Sequence, residues 1–144
     1  MTKIKINFEL SENPTITSQE KGYNRYSGQF YTKDEVKQLK YEYAINIRRY
    51  MSVNKLETPR FKGAVRLTVI FGFSSSNRKN WGLLKTTKPD LDNAVKGLQD
   101  VLADLGFFEV GDQQVAELVV RKEWSDKPKV FIHLEELPYD IYRL

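Results

Sequence analysis

Gly63-Ala64-Val65-Arg66-Leu67-Thr68-Val69-Ile70-Phe71-Gly72-Phe73 is the stretch on which the fold class turns. Val65, Leu67, Val69, Phe71 and Phe73 alternate with Arg66, Thr68 and Ile70, the period-two pattern of a strand with one apolar face. Upstream the period changes. Val36, Leu39, Tyr43, Ile47 and Tyr50 recur at steps of three and four, which predicts a helix running to about Met51. Its start is marked by Thr32-Lys33-Asp34-Glu35, the spacing of a capping box, and Arg48 and Arg49 stand toward its C-terminal end, where cations suit the dipole. Further upstream, Ser11 to Tyr31 has neither period and reads as a long loop, whereas Ile4, Ile6, Phe8 and Leu10 alternate as a first strand. Downstream, Ser74-Ser75-Ser76-Asn77 breaks the strand, and Leu91, Val95, Leu98, Leu102 and Leu105 mark a second helix ended by Gly106. Val115 to Trp124 and Val130 to Leu134 read as two more strands, joined by Ser125-Asp126-Lys127-Pro128 as a hairpin loop.

Strand, helix, strand, helix, strand, strand over residues 1–144 predicts a single α+β domain: a mixed sheet of about four strands with two helices packed on one face. The short aromatic tail from Pro138 to Leu144 could cover a sheet edge or dock on a second subunit.

Composition narrows the chemistry. The chain of 144 residues has no Cys and one His, His133, which excludes thiol nucleophiles, thiol redox chemistry, Cys-anchored haem and Cys/His zinc sites. Carboxylates, lysines, tyrosines and hydroxyls remain. His133 alternates with Ile132 and Leu134 and has no second His for metal ligation, so a structural, surface or dimer-facing role is expected. Lysines interleave the apolar residues of Met1-Thr2-Lys3-Ile4-Lys5-Ile6, and no apolar run is long enough to span a membrane, so the expectation is a cytoplasmic protein without a membrane anchor.

The net charge of +4 conceals a segregation. Residues 74 to 89 hold Arg78, Lys79, Lys85 and Lys88 and no acid, whereas residues 97 to 112 hold Asp100, Asp104, Glu109 and Asp112 and no base. A basic, Ser- and Asn-rich loop carrying Trp81 has the composition of a phosphate-tracking segment, the indole stacking on a base or wedging between steps. A solvated loop with Trp81 pinned to the core has the same composition. Tyr23, Tyr26 and Tyr31, with Arg25 and Lys33, could likewise touch DNA or pack over the sheet.

Thr86-Thr87-Lys88-Pro89-Asp90-Leu91-Asp92-Asn93-Ala94-Val95-Lys96 places two aspartates at the mouth of the second helix. Asp92 and Lys96 lie within roughly 40° of each other, away from the Leu91/Val95/Leu98 stripe. Helix capping by Asp90 and dipole complementation by Asp92 account for the pattern without any function. Asp112, in Phe107-Phe108-Glu109-Val110-Gly111-Asp112-Gln113-Gln114-Val115, lies where chain reversal could bring it beside them. Converging carboxylates suit a hard divalent cation such as Mg²⁺, which could be shared with a phosphodiester, and Lys96 would add a fixed positive charge.

Lys88-Pro89-Asp90-Leu91-Asp92-Asn93 with Lys96, followed by Asp112-x-Gln114-Val115 before a strand, resembles the RusA family of Holliday junction resolvases, small phage-associated endonucleases. The resemblance implies a homodimeric α+β fold and Mg²⁺-dependent cutting of four-way DNA junctions, with Mn²⁺ able to substitute and with 5′-phosphate and 3′-hydroxyl products. It also implies that Asp90, Asp92 and Asp112 bind the metal and that Lys96 is the catalytic lysine. The family usually has paired acidic residues before x-Gln-Val; here the first is Gly111, so the third ligand rests on Asp112 alone. Two other readings stay open at this point: a non-catalytic module for structured nucleic acid, and a less selective flap or branched-DNA nuclease.

Overall fold

A computed structural model of the chain describes residues 2–15, 21–32 and 34–139. Its elements are β1 (Lys3–Glu9), β2 (Lys21–Asn24), β3 (Gln29–Thr32), α1 (Asp34–Val53), β4 (Val65–Ser74), α2 (Leu91–Asp104), β5 (Val115–Ser125) and β6 (Lys129–Glu136). Four of the strands form one mixed sheet in the order β1-β6-β4-β5. β6 runs antiparallel to both β1 and β4, while β4 and β5 are parallel. The fold is α+β, as the periodicities predict.

The expected hairpin between the last two strands is not formed. β5 and β6 lie on opposite sides of β4, pairing Thr68 with Val119 on one side and with His133 on the other. The Asp126–Pro128 connection therefore spans the end of β4 instead of folding β5 back on itself. Both arrangements reverse the chain, so a short polar loop fits either. A second difference lies in the stretch read as a loop. Lys21–Asn24 and Gln29–Thr32 pair antiparallel as a small hairpin. Asn24 Oδ1 accepts the Tyr26 and Ser27 amides at 2.9 and 3.2 Å, and Gly28 takes φ +70°, so side-chain turn chemistry closes it rather than apolar alternation.

Packing follows the two periods. Val65, Leu67, Val69, Phe71 and Phe73 of β4 and Val130, Ile132 and Leu134 of β6 form a buried floor. Tyr43, Ile47 and Met51 of α1 and Val95, Leu98, Val101 and Leu102 of α2 join the same core. Burying each such side chain contributes about 1.5–3 kcal/mol. Leu91, counted above in the apolar stripe, is 37% exposed at the first turn of α2. α1 extends two residues past Met51, so its last turn holds no basic residue and Arg48 and Arg49 fall short of the dipole's negative end. The Thr32 side chain and Lys33, part of its expected capping box, lie outside the described residues.

Polar contacts tie the helices down. Lys40 of α1 pairs with Asp100 of α2 at 3.0 Å, and Glu42 accepts the Ser11 amide at 2.7 Å and its hydroxyl at 3.1 Å. At the far end of α2 the Gly106 amide bonds the Ala103 carbonyl at 3.0 Å and the Phe107 amide bonds Leu102 at 3.1 Å. This is a Schellman stop, and Gly106 at φ +81° supplies the left-handed residue it needs. No helix among the described residues is long and apolar enough to cross a membrane.

Leu98→Ala should lower unfolding free energy by about 2–5 kcal/mol in urea titrations, because the side chain is fully enclosed. Leu118→Ala, at an exposed edge of β5, should change it by no more than about 0.5 kcal/mol.

Candidate functional site

The parallel pairing of β4 with β5 forces a crossover, and that crossover carries the charged segments. Leaving β4, the chain passes a single 3₁₀ turn at Arg78–Asn80 and then runs back along the outer edge of β5. Leu84 bridges Glu123 antiparallel, the Gly82 amide bonds the Trp124 carbonyl at 2.9 Å, and the Lys85 amide bonds the Lys122 carbonyl at 3.0 Å. The return path brings Thr87 and Pro89, just before α2, within reach of Lys122 of β5.

Two lysines fix this path from within. The Lys122 ammonium donates to the Thr87 carbonyl at 2.6 Å and the Pro89 carbonyl at 2.7 Å, one on each side of Lys88 and both just before Asp90. Lys85 donates to the Thr87 hydroxyl, and its ammonium lies 5.2 Å from the Phe73 ring centre and 4.6 Å from that of Trp124. Burial, and then the neighbouring Lys122 charge, hold Lys85 below the ordinary lysine range. Lys85 is 9% exposed, so it does not stand with the phosphate-tracking cations among which the sequence placed it. Nothing in the sequence around Lys122 marks its role; only the register of β5 brings it under the loop.

The other cations of the loop are outward-facing. Arg78 and Lys79 are exposed, and the Arg78 guanidinium lies 5.4 Å from the ring centre of Trp81. Trp81 is 38% exposed, and its indole N–H donates to the Ser75 carbonyl at 2.8 Å, so the ring is held in place with part of it open. On the separate β2–β3 hairpin, Tyr26 is 89% exposed with Arg25 over its ring at 5.5 Å, and Tyr23 is half exposed. The Tyr31 side chain and Lys33 lie outside the described residues.

Asp90 occupies the N-cap position of α2, but its side chain makes no capping hydrogen bond. Its Oδ1 instead accepts Lys88 Nζ at 3.1 Å in an open surface pair. Capping, the functionless explanation of the first aspartate, is not what the side chain does. Asp92 and Lys96 are exposed one turn apart on α2, and among the described residues neither has a hydrogen-bond or ion-pair partner. Asp112 opens a 3₁₀ turn, Asp112–Gln114, that packs against α2. Its carboxylate is likewise without a polar partner among the described residues. The convergence expected of the three carboxylates is incomplete: among the described residues no three acidic or histidine side chains stand close enough to hold one ion. In kind the donors fit a hard cation, since they are oxygen ligands not engaged in capping, and Mg²⁺ is commonly held by one or two carboxylates with water and phosphate completing its sphere.

Gln114 is the other residue whose function the sequence leaves blank. Its side chain bonds the Val110 and Gly111 amides and the Phe61 and Gly63 carbonyls, across 51 to 53 residues of chain. His133 lies on the uncovered face of the sheet, between Lys5 and Thr68 in the ladder, with an enclosed Nε2 that has no partner among the described residues.

Replacing Lys122 by Met removes the charge that helps depress Lys85 and the two bonds behind Asp90. The Lys85 titration, followed by NMR at its side-chain carbon, should move up toward the ordinary lysine value, and an unchanged midpoint would show that burial alone sets it.

A family model described as Endodeoxyribonuclease RusA matches residues 12–135 of the chain. The crossover junction endodeoxyribonuclease rusA of Lactococcus phage r1t is 30% identical over 138 residues, covering 94% of this chain and 99% of that protein. The uncharacterized protein YqaN of Bacillus subtilis (strain 168) is 46% identical over 57 residues, 39% of each chain. With a family match that takes in the crossover, α2 and the Asp112 turn, and a full-length relative in the same family, the chain belongs to the RusA family of endodeoxyribonucleases.

Proposed function

We propose that the chain cuts four-way DNA junctions as a homodimer, each subunit hydrolysing one phosphodiester with a Mg²⁺ for which Asp90, Asp92 and Asp112 are the ligands, water and the DNA phosphate completing a site that the three side chains do not close by themselves. The observation that carries this reading is the set of acidic side chains at the α2 mouth and the adjoining turn that make no capping hydrogen bond, in a chain aligned over 94% of its length with a crossover junction endodeoxyribonuclease. A divalent ion there supplies a water of lowered pKa and positive charge for the phosphorus and the leaving oxygen. Mn²⁺, which takes the same oxygen donors, is expected to substitute.

The remaining roles belong to the protein. Lys96, one turn beyond Asp92 and unpaired, is the fixed cation for charge that develops on the phosphate. The Lys88–Asp90 pair, with side chains 87% and 54% exposed, is worth no more than about 1 kcal/mol, so an arriving ion and phosphate separate it at little cost. Lys88 then joins Arg78, Lys79 and the open part of Trp81 as contacts to the DNA backbone and branch point, with Tyr23 and Tyr26 reaching from the hairpin. Lys85 acts from inside, holding the loop. An isologous dimer presents this surface twice, matching the approximate two-fold of a junction and making paired symmetric nicks. A module that only bound nucleic acid would leave exposed carboxylates beside a phosphate path, where they repel the ligand.

Asp92→Asn should bind a synthetic four-way junction like the wild type in gel shifts without metal, yet cut it at least about 10²-fold more slowly in Mg²⁺. Wild-type cutting by that variant would remove Asp92 from the site. Competition among junction, flap and linear duplex substrates should rank the junction first, and sedimentation should give the mass of two chains.

A further inference from the structure

We propose that Gln114 is the positioning residue for Asp112: its side-chain amide, not any contact of Asp112 itself, sets where that carboxylate stands. This rests on the reading of Asp112 as an ion ligand. Gln114 Nε2 donates to the Phe61 carbonyl at 2.8 Å and to the Gly63 carbonyl at 2.9 Å. Its Oε1 accepts the Val110 amide at 2.7 Å and the Gly111 amide at 3.3 Å. Two donors and two acceptors are the principal capacity of a primary amide, and all four bonds are made.

The bonds form a closed frame around Asp112. The Phe61 amide bonds the Phe107 carbonyl at 2.8 Å and the Glu109 amide returns to the Phe61 carbonyl at 2.9 Å, so the segment entering the turn is already bound to the buried Phe61. The Gln114 amide bonds the Gly111 carbonyl at 3.1 Å and closes the turn on the other side. Asp112 sits at the apex between these anchors with no polar partner among the described residues, so the backbone that carries its side chain is held in position while both carboxylate oxygens stay available.

The chemistry admits no ready substitute. A glutamate of the same length offers no donor to the two carbonyls, a lysine no acceptor to the two amides, and an asparagine is one methylene short. Rotating the amide by half a turn would set oxygen against oxygen and N–H against N–H, so its orientation is fixed by its surroundings.

The test uses the full chain, Mg²⁺ and a synthetic four-way junction, with Gln114→Met and Gln114→Glu. Gln114→Met should lose hydrogen-exchange protection at Val110 and Gly111 in metal-free protein, while amides of α2 and β4 keep theirs. Its junction binding without metal should match the wild type, and the Mg²⁺ needed for half-maximal cleavage should rise by about 10–100-fold. Gln114→Glu keeps the two acceptor bonds and loses both donors, so its exchange protection at Val110 and Gly111 should lie between that of the wild type and that of Gln114→Met. Wild-type Mg²⁺ dependence in Gln114→Met with both amides unprotected would overturn the proposal. So would global unfolding of both variants, since that marks a residue of the fold at large. Asp112→Asn separates the two levels: if it cuts normally, the ligand reading falls and the proposal with it. If it is inactive while Gln114→Met behaves as wild type, only the role of Gln114 falls.

Discussion

The parallel ladder between β4 and β5 governs the layout of this protein. Antiparallel neighbours can be joined by a few residues, but a parallel neighbour needs the chain to travel the length of the sheet before pairing begins. The forty residues from Ser75 to Gln114 make that journey, and the basic loop, α2 and the Asp112 turn are its parts. The residues that give the chain its candidate chemistry therefore belong to the connection, while the sheet and the packed faces of the helices form the rigid body on which the connection is mounted.

That body restrains the connection at a few polar points. Lys122 reaches from β5 to two carbonyls just before Asp90, Lys85 wedges over Phe73 and Trp124, and Gln114 ties the next turn to Phe61 and Gly63. Lys122 and Gln114 set a charged or amide group against backbone atoms and Lys85 sets its ammonium against the Thr87 hydroxyl and two rings, so the loop's path is specified by directional contacts where apolar packing would leave it free to slide. Between these restraints the side chains of the exposed Asp92 and Lys96 and of the partly buried Asp112 make no polar bonds among the described residues. Rigidity comes from one set of residues, and the proposed chemistry falls to another.

The two kinds of residue were unequally legible. Alternation in Val65–Phe73 and the three-and-four spacing of Val95, Leu98 and Leu102 state their periods directly, because burial of one face is a local property of sequence order. Gly106 announced the end of α2 for the same reason. Strand partners are not local: nothing between Trp124 and Val130 reveals that β4 separates β5 from β6. The β2–β3 hairpin was hidden because its strands are four residues each and its turn relies on one Asn side chain. Lys85 and Lys88 read alike in the sequence, yet one is buried over two aromatic rings and the other is open to water. A count of charges carries no information on which of them the fold encloses. The candidate aspartates are singled out by spacing and motif, whereas the residues that brace their segments depend on register and are visible only in three dimensions.

The order β1-β6-β4-β5 also bears on how the chain acquires its structure. β1 pairs with β6, so Lys3 finds its partner at Glu135 and Ile6 at Ile132, and the earliest strand has its neighbour near the other end of the described chain. Loop-closure entropy for such contacts must be met before they return any stability, which places this topology among slow folders. β4, the strand at the centre, is flanked on both sides by segments that follow it in sequence. A growing chain thus holds its most apolar strand unpaired until β5 and β6 have been made, and the exposed β4 edge is the segment most in need of protection from aggregation during that interval.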